Sequence, residues 1–465
     1  MKFKYLTLFL LHLYVITSKN IYGIHPRFTK LNICESREYS VKKANGTFLH
    51  ITDIHIDPDY MNGSDPDELC HRKNSDGAKN IAGIYGALGS RCDSPDILVE
   101  ESFEYINNRF HNVDFIIYTG DSSRHNRDKK APRTKEQVLT DHNLVFDYFN
   151  KNFNLSRTIL IPTIGNNDVI EHNALTANDK IFKTLFDLWK PNKLLSFYNS
   201  EKEKDTFLKG GYWAQDFGFS TKLKLLNINS MYLYVANKEV ADCSDPSSPA
   251  TIMLHWLEEK LTWIKENDLK AYVMGHIPPH DELNRRILKK ECYNKLINLV
   301  GQYSGNIVSL FWGHTNTDVI SFITSNKKHN KYEFITLTGD DRPEYTWKDK
   351  NIVNIMTTGP SITPYNHPAL RYYIYTPFDG ELLGYTQYYA NLTEANEKGK
   401  KGLKFIEEYN TWYDYHLNSL SLKNFRKFIH ELMISDSLWN LYKVHQSVGS
   451  YEYLKYPPPK FDIKN

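Results

Sequence analysis

The stretch "LIPTIGNNDVIEHN", residues 160–173, leads an apolar, strand-forming run into a turn with a glycine, two asparagines and an aspartate. Five further segments have the richness in Ile, Val, Leu and aromatic residues that is typical of buried strands. The six predicted strands are residues 46–55, 113–121, 157–168, 222–230, 270–276 and 306–314. Segments with helical periodicity alternate with them at residues 94–110, 134–150, 251–267 and 287–303. This alternation predicts an α/β fold with helices covering the sheet faces.

The chain has 465 residues, 41% of them hydrophobic, which is enough for one large domain, predicted over residues 47–395. Residues 396–465 are aromatic and rich in lysine, and they are predicted to form a helical extension packed on the domain. The net charge of +2 gives no indication of a nucleic-acid partner, so any basic surface has to be local.

The first residues predict the compartment. Lys2 and Lys4 precede an apolar run over residues 5–17, which is the order of a secretory signal. The run is shorter than the ~20 residues of a membrane span, so a cleaved signal peptide over residues 1–20 is favoured over an uncleaved signal anchor. Only the anchor would attach the protein to a membrane. Residues 21–46 would then be an N-terminal segment ahead of the domain.

Cysteines and glycosylation sequons agree with the secretory pathway, either the lumen of a vacuole or lysosome or the outside of the cell. Of the five cysteines, we pair Cys70 with Cys92 and Cys243 with Cys292, leaving Cys34, although spacing alone does not fix the connectivity. Four sequons predict a glycoprotein, and they begin at Asn45, Asn62, Asn154 and Asn391.

Polar residues of one chemical kind follow five of the six predicted strands. They are Asp53 with His55, Asp121, Asn166, His276 and His314. In open α/β sheets ligands bind at the carboxyl ends of the strands, so these side chains are expected to converge. Any one of them alone would be taken for a helix cap or a core histidine, but the recurrence predicts a centre for two divalent ions. Nitrogen and oxygen ligands admit Zn, Mn, Co, Mg or Fe.

The motifs around these residues resemble those of calcineurin-like metallophosphoesterases: "DIH" at 53, "GDSSRH" at 120, "GNND" at 165, "GH" at 275 and "GHTN" at 313. The resemblance covers residues 47 to about 390 and implies a four-layer α/β/β/α sandwich. Within that superfamily, "CDSP" at 92 and "GHIPP" at 275 resemble the acid sphingomyelinase branch. More narrowly, "TGDSSRHNRD", "PRTKEQ", "GNNDVIEHN" and "GHTNTD" resemble fungal endopolyphosphatases, which cut inorganic polyphosphate internally.

The resemblance implies a role for each of these residues. Asp53 and His55 would hold the first metal, and Asp121 would bridge both ions. The second metal would be held by Asn166, His276 and His314. Relatives in the superfamily often have histidine where this chain has Asn167 and Asn316, a proton donor at the first position and a ligand to the first metal at the second. Asn316 is therefore a possible oxygen ligand in this chain.

The asparagine at 167 affects the predicted substrate. Asparagine cannot act as a general acid, so another group must protonate the leaving group or no proton is needed. A phosphoanhydride expels phosphate, whose relevant pKa of about 6 makes it stable without a proton. His125 resembles the residue proposed as donor in the sphingomyelinase branch, and the alternative is a loop residue capping a helix. His172 is a weaker candidate with a structural role as the alternative.

A basic loop follows Asp121 and is predicted to steer the phosphate chain, with a solvated surface loop as the alternative. Its candidate substrate-binding residues are Arg124, Arg127, Lys129, Lys130 and Arg133. The sequence therefore predicts a two-metal hydrolase that cleaves internal phosphoanhydride bonds of polyphosphate. The alternatives are a phosphodiesterase for nucleotide or lipid diesters and a binding protein whose site has decayed. Too few residues precede Asp53 for a saposin domain, which disfavours the lipid.

Overall fold

The computed structural model describes residues 45–326, 331–338, 342 and 348–450. The predicted signal segment and Cys34 lie outside these residues. Over the described part of the chain, no helix combines the length and the hydropathy that crossing a membrane requires.

Thirteen strands form two sheets within the described residues. In chain order they are β1 Gly46–Ile51, β2 Phe115–Tyr118, β3 Ile159–Pro162, β4 Trp213–Asp216, β5 Leu223–Asn227, β6 Lys270–Met274, β7 Ile307–Trp312, β8 Val319–Asn326, β9 Lys331–Leu337, β10 Ile352–Thr358, β11 Ala369–Tyr375, β12 Leu382–Ala390 and β13 Phe405–Asn410. The first sheet has the order β13-β12-β11-β1-β2-β3, and the second has the order β4-β5-β6-β7-β10-β8-β9.

The helices of the described residues lie between and after these strands. They are α1 Asp96–Phe110, α2 Lys135–Asn152, α3 Lys180–Leu188, α4 Glu201–Gly210, α5 Pro249–Glu266, α6 Lys290–Gln302, α7 Leu392–Lys398, α8 Leu422–Ile434 and α9 Asp436–Gln446. The four predicted helices correspond to α1, α2, α5 and α6. All six predicted strands are present as β1, β2, β3, β5, β6 and β7, although each ends earlier than predicted because its polar residues leave the ladder.

Each sheet contains a parallel block that points its strand ends in one direction. In the first sheet β1 pairs in parallel with β2 and β2 with β3, so Ile51 lies opposite Tyr118. In the second sheet β5, β6, β7 and β10 are parallel neighbours. The outer strands of both sheets pair antiparallel. The turns that follow the parallel strands are therefore where a shared site can form.

The two sheets pack face to face through aromatic residues. Phe48 on β1 lies 5.9 Å from Tyr272 on β6, and Tyr373 on β11 lies 5.6 Å from Phe311 on β7, between ring centroids. On the outer face of the first sheet, Phe110 of α1 stacks on a tyrosine of β11. On the second sheet, α5 contacts β6 and α6 contacts β8, β9 and β10. The arrangement is the predicted four-layer α/β/β/α sandwich.

The C-terminal segment contains a strand as well as the predicted helices. Helices α8 and α9 form, but Phe405–Asn410 is the edge strand β13 rather than a helix. Its buried aromatic residues, Phe405 and Tyr409, are four apart, which is a helical spacing. Because the pairing with β12 is irregular between these two residues, the Phe405 ring contacts Tyr105 of α1, whereas the Tyr409 ring contacts His445 of α9.

Both predicted disulfides form, Cys70–Cys92 and Cys243–Cys292. The four sequons reach the surface to different extents: Asn62 and Asn154 are exposed, and Asn45 and Asn391 are half-buried. Asn391 also caps α7, where its side-chain oxygen accepts from the backbone of Glu394.

Candidate functional site

The polar residues predicted to converge do so where the ends of β1, β2 and β3 meet those of β6 and β7. Several of them have left-handed backbone conformations that favour glycine, with positive φ of 44–75°. These are Asp53, His55, Asp121, His314 and Asn316. Each such conformation costs on the order of 1–3 kcal/mol, and it persists only where the surrounding structure imposes it. Strain at five neighbouring positions indicates a site built for function.

One group of ligand atoms centres on Asn166. Its Oδ1 lies 3.0 Å from Nε2 of His276 and 2.9 Å from Nδ1 of His314, and His276 Nε2 is 3.2 Å from Oδ2 of Asp121. Oxygen and nitrogen ligands bound at about 2.0–2.2 Å to one ion lie roughly 3 Å apart. The spacing of these four atoms therefore fits a shared divalent ion.

A second group lies on the other side of the same Asp121 oxygen. His55 Nε2 is 3.4 Å from Asp121 Oδ2 and 3.5 Å from Asp53 Oδ1. Asp53 Oδ1 and His55 Nε2 are buried and have no hydrogen-bond partner among the described residues. A buried polar atom without a partner is costly, so both atoms fit a cation as their missing neighbour. Asp121 Oδ2 lies between the two groups, as a bridging ligand would.

A backbone carbonyl orients one histidine in each group. His55 Nδ1 donates to the carbonyl of Ser123 at 3.0 Å, and His276 Nδ1 donates to the carbonyl of Thr119 at 2.7 Å. With the proton on Nδ1, the lone pair of Nε2 points into the site. Such outer hydrogen bonds are the usual support of histidine ligands to metals.

Asp168 ties together the two turns that carry Asp121 and Asn166. Its carboxylate accepts from the backbone N–H groups of Asp121 at 2.8 Å, Ser122 at 2.7 Å and Gly165 at 2.8 Å. A Cβ at Gly165 would lie 2.1 Å from Oδ1 of Asp121, so only glycine permits this close approach. Within "GNND", Gly165 thus permits the close packing of the two turns, and Asp168 serves as an acceptor.

The carboxylates dominate the electrostatics of the site. Burial alone would lower the pKa of His55 and His276, but the Asp121 and Asp53 carboxylates outweigh it and raise both pKa values to about 9. The pKa of Asp121 is held well below its usual range, since His276 and His55 overcome the opposing effect of burial. The same negative potential attracts divalent cations.

The two asparagines that replace histidine are placed differently. Asn316 lines the cleft beside His314, and its Oδ1 is buried without a partner among the described residues, as an oxygen ligand would be. Asn167 is completely buried, and its Nδ2 donates to Asp121 Oδ2 at 2.8 Å. Asn167 therefore faces the Asp121 carboxylate and has no proton to give to a leaving group.

His125 lies beside the first group and is held by Asp93. The His125 ring stacks on the His55 ring with centroids 4.0 Å apart, and its Nδ1 donates to Asp93 Oδ1 at 2.7 Å. Asp93 also accepts from the backbone N–H of His125 at 2.7 Å. Burial and the nearby Arg127 hold the pKa of His125 below its usual range. Sequence reasoning missed Asp93, although the quoted "CDSP" contains it.

His172 supports a ligand rather than the reacting groups. Asn166 Nδ2 donates to Nε2 of His172 at 3.1 Å, which turns the amide oxygen toward His276 and His314. Burial lowers the pKa of His172 to about 4, so the ring stays a neutral acceptor.

The residues of the basic loop separate into three kinds. Arg124 and Arg133 are buried, and both guanidinium groups donate to backbone carbonyls, Arg133 to that of Asn167 at 2.6 Å. Lys129 and Lys130 are exposed, and Lys130 pairs with Glu68 at 2.8 Å. Arg127 lines the cleft over the site. The loop predicted to steer the phosphate chain is thus packed at two of its five candidate residues, because backbone carbonyls bind the guanidinium groups of Arg124 and Arg133.

The cleft over these groups has a volume of about 320 Å³. Arg127 and Lys238 are its basic residues, while Tyr234 and Tyr365 contribute aromatic surface. Glu282 lies on the same wall as Asp281, and burial together with that neighbour raises the pKa of Glu282 to about 7.

Comparison with known proteins agrees with this geometry. The calcineurin-like phosphoesterase model matches residues 46–318, and the model of the acid sphingomyelin phosphodiesterase C-terminal region matches residues 351–453. The chain belongs to the calcineurin-like phosphoesterase family, and the second match puts it in the acid sphingomyelinase-like branch. It is accordingly a metallophosphoesterase with candidate clusters for metal ions.

Curated relatives fall into two groups. The endopolyphosphatase of Saccharomyces cerevisiae is 32% identical over 320 residues, covering 66% of this chain and 45% of the relative, and that of Neurospora crassa is 33% identical, covering 60% and 38%. The chain thus spans less than half the length of these two relatives. The cyclic GMP-AMP phosphodiesterase SMPDL3A of Bos taurus is 30% identical over 416 residues, covering 85% of this chain and 81% of the relative.

Proposed function

We propose that this protein is a two-metal hydrolase that cleaves internal phosphoanhydride bonds of inorganic polyphosphate. Asp53 and His55, with Asn316 as a further oxygen donor, would hold one divalent ion. Asn166, His276 and His314 would hold the other, and Asp121 would belong to both. Two bound cations would supply Lewis-acid stabilisation of the phosphoryl charge and would lower the pKa of the attacking water.

The orientation of Asn167 is the observation that favours a phosphoanhydride over an ester as the substrate. Its amide faces Asp121 and is completely buried, so this position gives a leaving group no proton. An ester leaving group departs as an alkoxide and needs that proton, whereas a phosphate leaving group with a pKa of about 6 does not. Loss of the donor at 167 is therefore tolerable for polyphosphate and costly for an ester.

His125 would assist the departing group in this scheme. Its Nδ1 is committed to Asp93, so a proton for the leaving group would be carried on Nε2 by the imidazolium form, which the lowered pKa of His125 confines to acidic solution. Asp93 fixes the ring and its tautomer, the usual role of a carboxylate behind an imidazole. The demand on His125 would be highest for substrates with basic leaving groups.

Arg127 would contact the phosphate chain beyond the scissile bond. It is the residue of the basic loop that lines the cleft, beside His125, and Lys238 lines it as well. Arginine binds phosphate oxygens through paired donors, which suits a repeating chain of phosphates. Lys129 and Lys130 lie farther along the same loop, where exposed charge would act by long-range steering.

A nucleotide phosphodiesterase is the second candidate. Tyr234 and Tyr365 in the cleft favour it, because aromatic rings can stack on a nucleobase. The cyclic GMP-AMP phosphodiesterase of Bos taurus also aligns with 85% of this chain.

We also propose that the protein works in the secretory pathway, in a vacuolar or lysosomal lumen or outside the cell. The two disulfides support this, because such bonds persist in oxidising compartments. Exposed sequons at Asn62 and Asn154 would be accessible to glycosylation.

The test is a parallel assay of the purified protein loaded with Mn²⁺, Zn²⁺, Co²⁺ or Mg²⁺. Long polyphosphate, cyclic GMP-AMP and sphingomyelin would be offered separately, and kcat/KM would be compared for each metal. The proposal expects polyphosphate to be the best substrate. A higher kcat/KM for the cyclic dinucleotide would establish the second candidate instead.

A further inference from the structure

We infer that Asn167 is a positioning residue that clamps the shared carboxylate of Asp121, and that both metal sites depend on this clamp. The inference rests on the metal centre of the proposed function. It assigns Asn167 a task different from that of the proton-donating histidine which it replaces.

Residue 167 holds both oxygens of the Asp121 carboxylate. Its backbone N–H donates to Oδ1 at 2.7 Å, and its side-chain Nδ2 donates to Oδ2 at 2.8 Å. Two donors from one residue fix the rotation of the carboxylate plane. Oδ2 is the atom that lies 3.4 Å from His55 Nε2 and 3.2 Å from His276 Nε2. The clamp therefore acts on the oxygen that the two groups share.

Asn167 is itself held from the opposite side. Arg133 donates to the Asn167 backbone carbonyl at 2.6 Å and to the carbonyl of Val169 at 3.0 Å. Asp168 ties the same turn to the backbone of Asp121. The amide group is completely buried, so Asn167 has little freedom to turn toward the cleft.

The amide orientation follows from the charge of its partner. Turning the amide over would place its oxygen against Asp121 Oδ2, two acceptors with no proton between them. The donor must therefore face the carboxylate, even though this leaves Asn167 Oδ1 buried without a partner among the described residues. Because a buried oxygen without a partner is destabilising, this orientation indicates that the hydrogen bond from Asn167 Nδ2 to Asp121 is important.

Removing the clamp should weaken both metal sites together, because Asp121 belongs to both. Loss of an outer hydrogen bond to a metal ligand typically weakens metal binding about 10–100-fold. Asn167→Ala removes the donor and leaves a small cavity, whereas Asn167→Leu removes the donor and keeps the number and branching of the side-chain heavy atoms. Asn143→Ala is the matched control, since it removes an exposed amide from helix α2 that bonds only a carbonyl of its own helix.

The experiment titrates Mn²⁺ alone into the full protein and counts bound ions at each free concentration, with no substrate present. The expected result is about a 10–100-fold rise in the Mn²⁺ dissociation constant of both sites for Asn167→Ala and Asn167→Leu, and none for Asn143→Ala. Excess Mn²⁺ should then restore much of the hydrolysis rate, which it would not do if Asn167 acted on the leaving group.

Unchanged Mn²⁺ affinity in both Asn167 variants would overturn the inference and leave the proposed function intact. A wild-type protein that binds no Mn²⁺, Zn²⁺, Co²⁺ or Mg²⁺ would instead overturn the metal centre itself. If Asn167→Ala unfolds, the leucine variant, which creates no cavity, decides between the outcomes. An effect confined to the alanine variant would assign Asn167 to packing and contradict the clamp.

Discussion

Replacing Asp168 with alanine tests how firmly the two turns beneath the candidate metal centre are joined. The carboxylate is almost completely buried and accepts three backbone hydrogen bonds, from Asp121, Ser122 and Gly165. An alanine offers no acceptor. The three donors would then be left unsatisfied in a buried environment.

The expected loss of stability follows from that count. Each unsatisfied buried group costs about 1–3 kcal/mol, so three should lower the unfolding free energy by roughly 3–9 kcal/mol. Relief of repulsion from nearby carboxylates brings the value toward the lower end of this range. Asp168→Asn retains one acceptor oxygen and should lose about half as much. The turn that carries Asp121 should also loosen, so metal content should fall.

The assay is urea unfolding with intact disulfides, together with metal analysis of the same samples. Asp205→Ala on helix α4 is the control, since it removes an exposed carboxylate paired with Lys209 at 2.8 Å. An exposed pair of this kind contributes about 0–1 kcal/mol. If Asp168→Ala unfolds at the same urea midpoint as Asp205→Ala and keeps its full metal content, the turns do not depend on the Asp168 carboxylate.

Three further predictions concern pH, the cleft and the leaving group. His71 lies 2.9 Å from Asp57 and 2.7 Å from Asp128. Burial lowers the pKa of His71, but these carboxylates raise it above 6.5 overall. The stabilising charge of His71 is therefore complete below about pH 6.5 and is lost as the pH rises through the raised pKa. The stability difference between wild type and His71→Gln should therefore be larger near pH 5 than near pH 9 in urea unfolding, and a pH-independent difference would contradict the ion pairs. Arg127→Gln should raise KM for long polyphosphate several-fold at any salt concentration, while neutralising the exposed lysines of the loop should matter only at low salt; equal salt dependence would assign Arg127 to steering. His125→Ala should slow aryl phosphodiesters with basic leaving groups by up to ~10²–10⁴-fold and polyphosphate much less, and one common factor for all substrates would exclude leaving-group protonation.

Six of the seven strands in the two parallel blocks were accessible from the sequence, whereas β10 and the antiparallel strands were not. Strands β1 to β3 and β5 to β7 are apolar runs, and each can be recognised alone. Strand β11 contains Arg371, which is buried and pairs with Asp318, and its Nε donates to Gln387 of β12 at 2.8 Å. A buried arginine needs charged or polar partners, and those of Arg371 lie far away in the sequence. The sequence of β11 alone therefore does not indicate a core strand.

The candidate site was likewise predictable from the sequence only in part. Its ligands were predicted because strand ends meet at one sheet edge, a rule that needs no coordinates. The supporting carbonyls of Thr119 and Ser123 have no residue-type signature, and they were found only in the structure. Arg133 was predicted to bind the phosphate chain, since it belongs to a basic run that follows Asp121. The carbonyl of Asn167 bonds it instead, and only tertiary structure brings the two together.

The most direct test of this account is a crystal structure with Mn²⁺, in which anomalous scattering locates the ions. The account predicts two ions that share Asp121. One would lie within about 2.0–2.3 Å of Asp53 and His55, and the other within that distance of Asn166, His276 and His314. A single ion held instead by His55, Asp93 and His125, which also converge, would contradict the two-metal centre.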